Sequence, residues 1–212
     1  MRFSSAIFFM ATIIACFGAV VNPALARPPV ILAFGDSLTA GYGLPESQSL
    51  PAQLEAALQA EYPGIVVLNG GVSGDTTAGG LSRLEWSLKE KPDAVILALG
   101  ANDMLRGIDP KVTQENLRQM MDILKANNIP VLLAGMRSFK NLGFSFGSSY
   151  DSMYKKLAKD YNAVYYPFLL DGVALQAHLN LEDGMHPNAA GIGVIVEKIT
   201  PSVKDLIVRV QP

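Results

Sequence analysis

Two short stretches, Gly35-Asp36-Ser37-Leu38 and Asp183-Gly184-Met185-His186, contain between them the groups that nucleophilic acyl transfer needs. A serine hydroxyl attacks a carbonyl only when a base takes its proton, and the base works best when a third group orients it. Asp183 and His186 are close enough in sequence to meet within one turn of chain, so a short loop can pre-assemble base and orienter. The chain has only 2 histidines, which narrows the search for the base. The other, His178, has no carboxylate at a useful spacing except Glu182 and Asp183 downstream, and is expected to be a surface residue. Two serines compete for the role of nucleophile. Ser37 sits just past an apolar run; so does Ser73, in Gly70-Gly71-Val72-Ser73-Gly74-Asp75, and both sequences also make plain turns. The Gly-x-Ser-x-Gly elbow of the α/β-hydrolases surrounds neither.

Acyl transfer also needs donors for the oxyanion. Asn102, in Leu99-Gly100-Ala101-Asn102-Asp103, has a side-chain amide that donates without titrating, although an Asx turn leaving a strand accounts for it as well. Gly74 can bring a backbone amide close with no side chain in the way. A helix or turn starting at Ser37 would aim its own N–H at an incoming oxygen.

The elements that must position these residues are legible as alternation. Val30 to Phe34, Ile65 to Leu68, Ala94 to Leu99, Val131 to Ala134 and Val164 to Tyr166 read as short buried strands. Between them lie helical stripes. Leu50, Leu54 and Leu58 follow Ser49 and Pro51, and Leu81, Leu84 and Leu88 follow Thr76-Thr77. Leu117, Met120, Met121 and Leu124 form another stripe, as do Tyr150, Met153, Tyr154 and Leu157; Ile192, Ile195, Val196 and Ile199 close the series behind Asn188. Fully apolar strands alternating with helices imply a parallel sheet covered on both faces. Function then belongs at the C-terminal ends of the strands. Ser37, Gly74 and Asn102 follow the first three strands and share that rim.

The first residues predict a signal peptide over 1–26: Arg2, an apolar run from Ala6 to Val21, and the small-x-small site Ala24-Leu25-Ala26. The run barely reaches the roughly 17 residues of a membrane span, so no stable span is expected in the mature chain. Cleavage leaves residues 27–212 as one exported domain, periplasmic or secreted. The single cysteine, Cys16, lies inside the run; Ile13-Ile14-Ala15-Cys16 offers the alternative of a lipoprotein anchored at Cys16. Cleavage after Ala26 leaves no cysteine for disulfides, thiolate metal sites or a cysteine nucleophile. A net charge of −2 without basic runs gives no footprint for nucleic acid. The partner expected is a small-molecule acyl ester or lipid.

The ordered blocks Gly35-Asp36-Ser37-Leu38, Gly74, Gly100-Ala101-Asn102-Asp103 and Asp183-Gly184-Met185-His186-Pro187 resemble those of the SGNH (GDSL) hydrolase family. Gly41-Tyr42-Gly43, Val72-Ser73-Gly74-Asp75-Thr76 and Leu105-Arg106-Gly107 are similar to its bacterial acyl-CoA thioesterase I, lysophospholipase L1 and arylesterase branch. The resemblance implies a three-layer α/β/α, flavodoxin-like sandwich of about five parallel strands. It implies Ser37 as nucleophile, His186 as base, Asp183 as its acid, and an oxyanion hole of the Ser37 and Gly74 amides with the Asn102 side chain. No cofactor and no metal is implied. Ala101 departs from the Gly-Gly common in that branch, and Arg137 to Ser149 does not align residue by residue.

The expected activity is serine esterase chemistry on lysophospholipids, aryl or other carboxylic esters, and acyl thioesters. Met104 and Leu105, with Phe139, Leu142, Phe144 and Phe146, are expected to wall an apolar acyl groove. A carbohydrate or acetyl esterase of the same family, needing a polar open groove, and a non-catalytic lipid-binding module are the alternatives.

Overall fold

The computed structural model describes residues 27–138 and 144–210, with residues 144–146 described as backbone alone. The expected signal peptide with Cys16, the groove residues Phe139 and Leu142, and the side chains of Phe144 and Phe146 lie outside the described residues.

Strands β1 (Val30–Gly35), β2 (Val66–Gly71), β3 (Ala94–Ala98), β4 (Val131–Ala134) and β5 (Val164–Tyr166) form one parallel sheet in the order β2-β1-β3-β4-β5. The inner strands β1, β3 and β4 are buried almost throughout, which is why they read as unbroken apolar runs. The edge strand β2 is less covered and ends in exposed Asn69 and half-buried Gly70 and Gly71, three residues beyond the apolar run that marks it in sequence.

Helices α1 (Ser37–Ala40), α2 (Leu50–Leu58), α3 (Thr77–Ser87), α4 (Ala101–Leu105), α5 (Pro110–Ala126), α6 (Phe144–Asp160) and α7 (Ala189–Val210) fill the connections. Several of their starts follow side-chain capping. Ser49 Oγ accepts from Ala52 N and Thr76 Oγ1 from Gly79 N, while Asn188 Oδ1 takes Gly191 N. Four of the five expected stripes are wholly buried: Leu50, Leu54 and Leu58 on α2, Leu117, Met120, Met121 and Leu124 on α5, Tyr150, Met153, Tyr154 and Leu157 on α6, and Ile192, Ile195, Val196 and Ile199 on α7. Of the fifth, Leu84 is buried, Leu81 half-buried, and Leu88 half-buried just past the end of α3. Among the described residues no helix is long and apolar enough to cross a membrane.

The strand order fixes where a ligand can lie. The chain steps from β1 outward to β2, then back across β1 to β3, so the joins after β1 and β3 diverge and leave a crevice at the switch point. α1 leaves β1 and α4 leaves β3 into that crevice within two or three residues.

Candidate active site

Ser37 is the first residue of α1. Asp36 caps that turn, its Oδ1 accepting Leu38 N at 3.0 Å, and so fixes where the Ser37 side chain emerges. His186 Nε2 lies 2.9 Å from Ser37 Oγ, and His186 Nδ1 lies 2.6 Å from Asp183 Oδ2. The other carboxylate oxygen of Asp183 accepts the backbone N–H groups of Met185 at 2.9 Å and His186 at 3.0 Å. Those two N–H groups, then the imidazole itself, hold the Asp183 carboxyl at about 2. A carboxylate pinned to its own loop sets the plane of the ring, and the ring in turn meets the serine. Such a chain can move a proton from Oγ to an imidazole whose cation a carboxylate supports.

Asp36 has the opposite environment. It is almost completely buried, and burial raises its carboxyl to about 6 against the lowering pull of Leu38 N–H and of His186. The neighbouring Asp75 charge raises it further.

Asn102 lies in the first turn of α4 and donates through Nδ2 to the Asp75 carbonyl at 2.9 Å; the same nitrogen is 3.4 Å from Asp36 Oδ2. Gly74 occupies the left-handed region at φ +82°, conformational space a glycine enters without strain. The Arg106 guanidinium donates to the Gly74 carbonyl at 2.7 Å. Among the described residues no acceptor is paired with the N–H of Gly74 or of Ser37. The site therefore has two unpaired backbone donors and one side-chain donor anchored on one side.

Ser73 is exposed and has no imidazole bonded to it, and His178 is exposed, its carbonyl accepting from Asn188 Nδ2. Met104 and Leu105 line a cavity of about 220 Å³ together with Ser37, Asn102 and His186. Ala101 is on its wall as well.

Most of that wall was not foreseen. Met136 follows β4, Leu170, Ala174 and Leu175 follow β5, and Met185 belongs to the His186 loop. The strand-end rule that picks out Ser37 and Asn102 applies equally after β4 and β5, and would have found Met136 and Leu170. Tyr42 is a further omission: its ring lies 4.4 Å from the His186 ring, tilted by 36°. Its signal was its place a few residues after Ser37, on the way out of α1.

The GDSL-like Lipase/Acylhydrolase family matches residues 33–192, which span the whole constellation. An arylesterase of Vibrio mimicus is 39% identical over 158 residues, 74% of this chain and 79% of its own. The thioesterase 1/protease 1/lysophospholipase L1 of Escherichia coli K12 is 35% identical over 183 residues, 86% of either chain. The crystal structure of the psychrotrophic esterase EstA from Pseudoalteromonas sp., inhibited by monoethylphosphonate, superposes with a TM-score of 0.79 at 31% identity, covering 84% of this chain and 98% of that one. Sequence, fold and site agree: the chain belongs to the GDSL-like lipase/acylhydrolase family, the SGNH hydrolases, and is a serine hydrolase acting on ester bonds.

Proposed function

We propose that the protein is an exported esterase that cleaves medium- and long-chain acyl esters, lysophospholipids and aryl esters among them, through Ser37, His186 and Asp183. The observation that carries this reading is the unbroken Ser37–His186–Asp183 hydrogen-bond chain opening into a cavity walled by Leu38, Met104, Met136 and Leu170. His186 takes the Ser37 proton as Oγ bonds to the acyl carbon. The carbonyl oxygen becomes an oxyanion held by the Ser37 and Gly74 N–H groups and by Asn102. The long Asn102–Asp36 contact is the one an oxyanion would replace, while the bond to the Asp75 carbonyl keeps the amide aimed. The imidazolium then protonates the leaving oxygen or sulfur as the bond to the acyl carbon breaks. A water repeats the sequence on the acyl-serine and returns the proton to the enzyme.

The apolar wall favours lipid-like esters over acetylated carbohydrate, whose hydroxyls would go unpaired against methionine and leucine. The names of the relatives, arylesterase and lysophospholipase, support the same substrate class. Acyl thioesters fit the same chemistry. Export rests on the N-terminal pattern of Arg2, the apolar run and Ala24-Leu25-Ala26.

Turnover on a panel from acetyl to palmitoyl esters, acyl-CoA and lysophosphatidylcholine tests the reading. Ser37→Ala should abolish hydrolysis and fluorophosphonate labelling with the fold intact, while Ser73→Ala stays active. A dead Ser73→Ala with a live Ser37→Ala would reverse the assignment. An unlabelled, inactive wild type would make the chain a lipid-binding module. Intact mass of the exported protein should start at Arg27 without a lipid adduct.

A further inference from the structure

Three loops supply the oxyanion donors proposed above, and a single side chain outside the cavity ties all three together. Arg83, on α3, donates from Nη2 to the carbonyl of Gly35 at 2.9 Å, the last residue of β1 and two before Ser37. Its Nη1 donates to the carbonyl of Gly70, at the end of β2, at 2.9 Å. Its Nε meets Asp75 Oδ2 at 2.6 Å, and Asp75 follows Gly74 directly. The carbonyl of that same Asp75 receives Asn102 Nδ2 at 2.9 Å, which brings in the loop after β3. The guanidinium plane lies over the Phe34 ring at 4.0 Å. With four-fifths of the side chain covered, this pair is shielded well enough to hold its geometry, unlike a surface ion pair.

Resting on the serine-esterase reading, we propose that Arg83 is the positioning residue of the oxyanion hole. It touches neither substrate nor reacting atoms. A planar cation with fixed donor directions registers the Ser37 turn, the Gly74 loop and, through the Asp75 carbonyl, the Asn102 amide against one another. A lysine cannot replace it. One ammonium can pair with Asp75, but it does not also reach two divergent carbonyls while stacked over the Phe34 ring. The deeper consequence is that the hole is assembled before substrate arrives, and preorganised donors stabilise the oxyanion without reorganising during the reaction.

The test measures kcat and KM on a short soluble p-nitrophenyl ester, with turnover divided by fluorophosphonate-titrated sites so that only folded enzyme is counted. Arg83→Met should lower kcat per site about 10- to 100-fold with KM within about twofold, because misplaced donors cost the transition state and not the ground state. Arg83→Lys should recover little of that loss. In an Asn102→Ala background Arg83→Met should cost clearly less than it does alone, since part of what it positions is already gone. If Arg83→Met does not fold, Asp75→Asn removes the ion pair while keeping the carbonyl that holds Asn102, and kcat should fall about threefold or more at constant KM. The proposal is overturned by unchanged kcat per site with only a lower Tm, by full rescue with lysine, or by losses that multiply fully with Asn102→Ala. A wild type that hydrolyses no ester overturns the underlying reading as well; an active wild type with unaffected Arg83 variants overturns the clamp alone.

Discussion

Asp36 and Asp183 both feel the charge of His186, yet their carboxyls have been driven in opposite directions. Asp183 is exposed enough to be solvated and is bonded by two N–H groups, so it stays ionised down to about 2. Its contribution is present above the ordinary carboxylate range and is lost only as pH falls towards that value, so inactivation between pH 4 and 6 belongs to another group. Asp183→Asn offers the imidazole a donor where it needs an acceptor and should lower kcat by about 10⁴-fold, the size seen for the equivalent change in serine proteases. Asp36 works the other way. Its folded value of about 6 exceeds the unfolded 3.8, so its stabilising contribution is complete below 3.8 and is lost as pH rises through 6. Asn in its place keeps an oxygen for Leu38 N and carries no charge. Asp36→Asn should therefore gain on the wild type by up to about 3 kcal/mol between pH 4 and pH 8, the worth of roughly two pKa units. Melting curves across that range check it, and parallel curves for the two proteins would refute it. The pairing of Asp183 with His186 was legible because it is local. The state of Asp36 was not, since its carboxyl is buried, and Asn102 and Asp75, which stand beside it, are distant in sequence.

At the scale of elements, the site depends on very short joins between strand and helix. Between β3 and α4 only Leu99 and Gly100 intervene, and Gly100 has φ +122°. The tyrosines of α6 close over this join: Tyr154 Oη donates to the Leu99 carbonyl at 3.0 Å and Tyr150 Oη to the Gly100 carbonyl. A Cβ on Gly100 would fall 2.1 Å from Tyr154 Oη and 2.7 Å from Tyr150 Oη, both on fully buried rings. Gly100→Ala should cost about 3 kcal/mol or more from strain and overpacking together, and should lower activity further because Asn102 rides on the displaced turn. Gly107 provides the control: φ +65° with open space around its Cβ position. Gly107→Ala should cost only the left-handed strain, about 1–2 kcal/mol, in the same thermal-unfolding assay. Strands and stripes were legible because burial imposes their periods, and Ser49, Thr76 and Asn188 announced their helices by capping. α4 and the stretch from Leu170 to Leu175 carry no period. α4 is placed by tertiary contacts, with α5 beside it and the α6 tyrosines on the join before it, and a pattern read along the chain has nothing to register there.

For the whole molecule, on the acyl-esterase reading proposed above, the shape of the cavity relative to its mouth should decide selectivity. Its volume of about 220 Å³ falls below the roughly 300–1,000 Å³ usual for small-molecule pockets, so it encloses the proximal part of an acyl chain and not a long one entire. Beyond it the chain must run over the lip, where Leu105, Met185 and Leu175 are 52%, 50% and 91% exposed. A fully buried methylene is worth about 0.8 kcal/mol, near fourfold in kcat/KM, and one lying on a half-wet lip is worth much less. Selectivity should thus climb steeply from acetyl esters through the enclosed length and then flatten. Leu175 gives a way to separate this lip from the fold. It holds φ +65°, a conformation that strains a leucine, and its side chain points out of the core. Glycine there relieves the strain as it removes the apolar surface. Leu175→Gly should leave Tm unchanged or higher while kcat/KM for decanoyl and longer esters falls severalfold relative to acetyl esters. A lower Tm with an unaltered chain-length profile would mean that Leu175 serves the fold, and that long chains leave the cavity past Leu105 and Met185 instead.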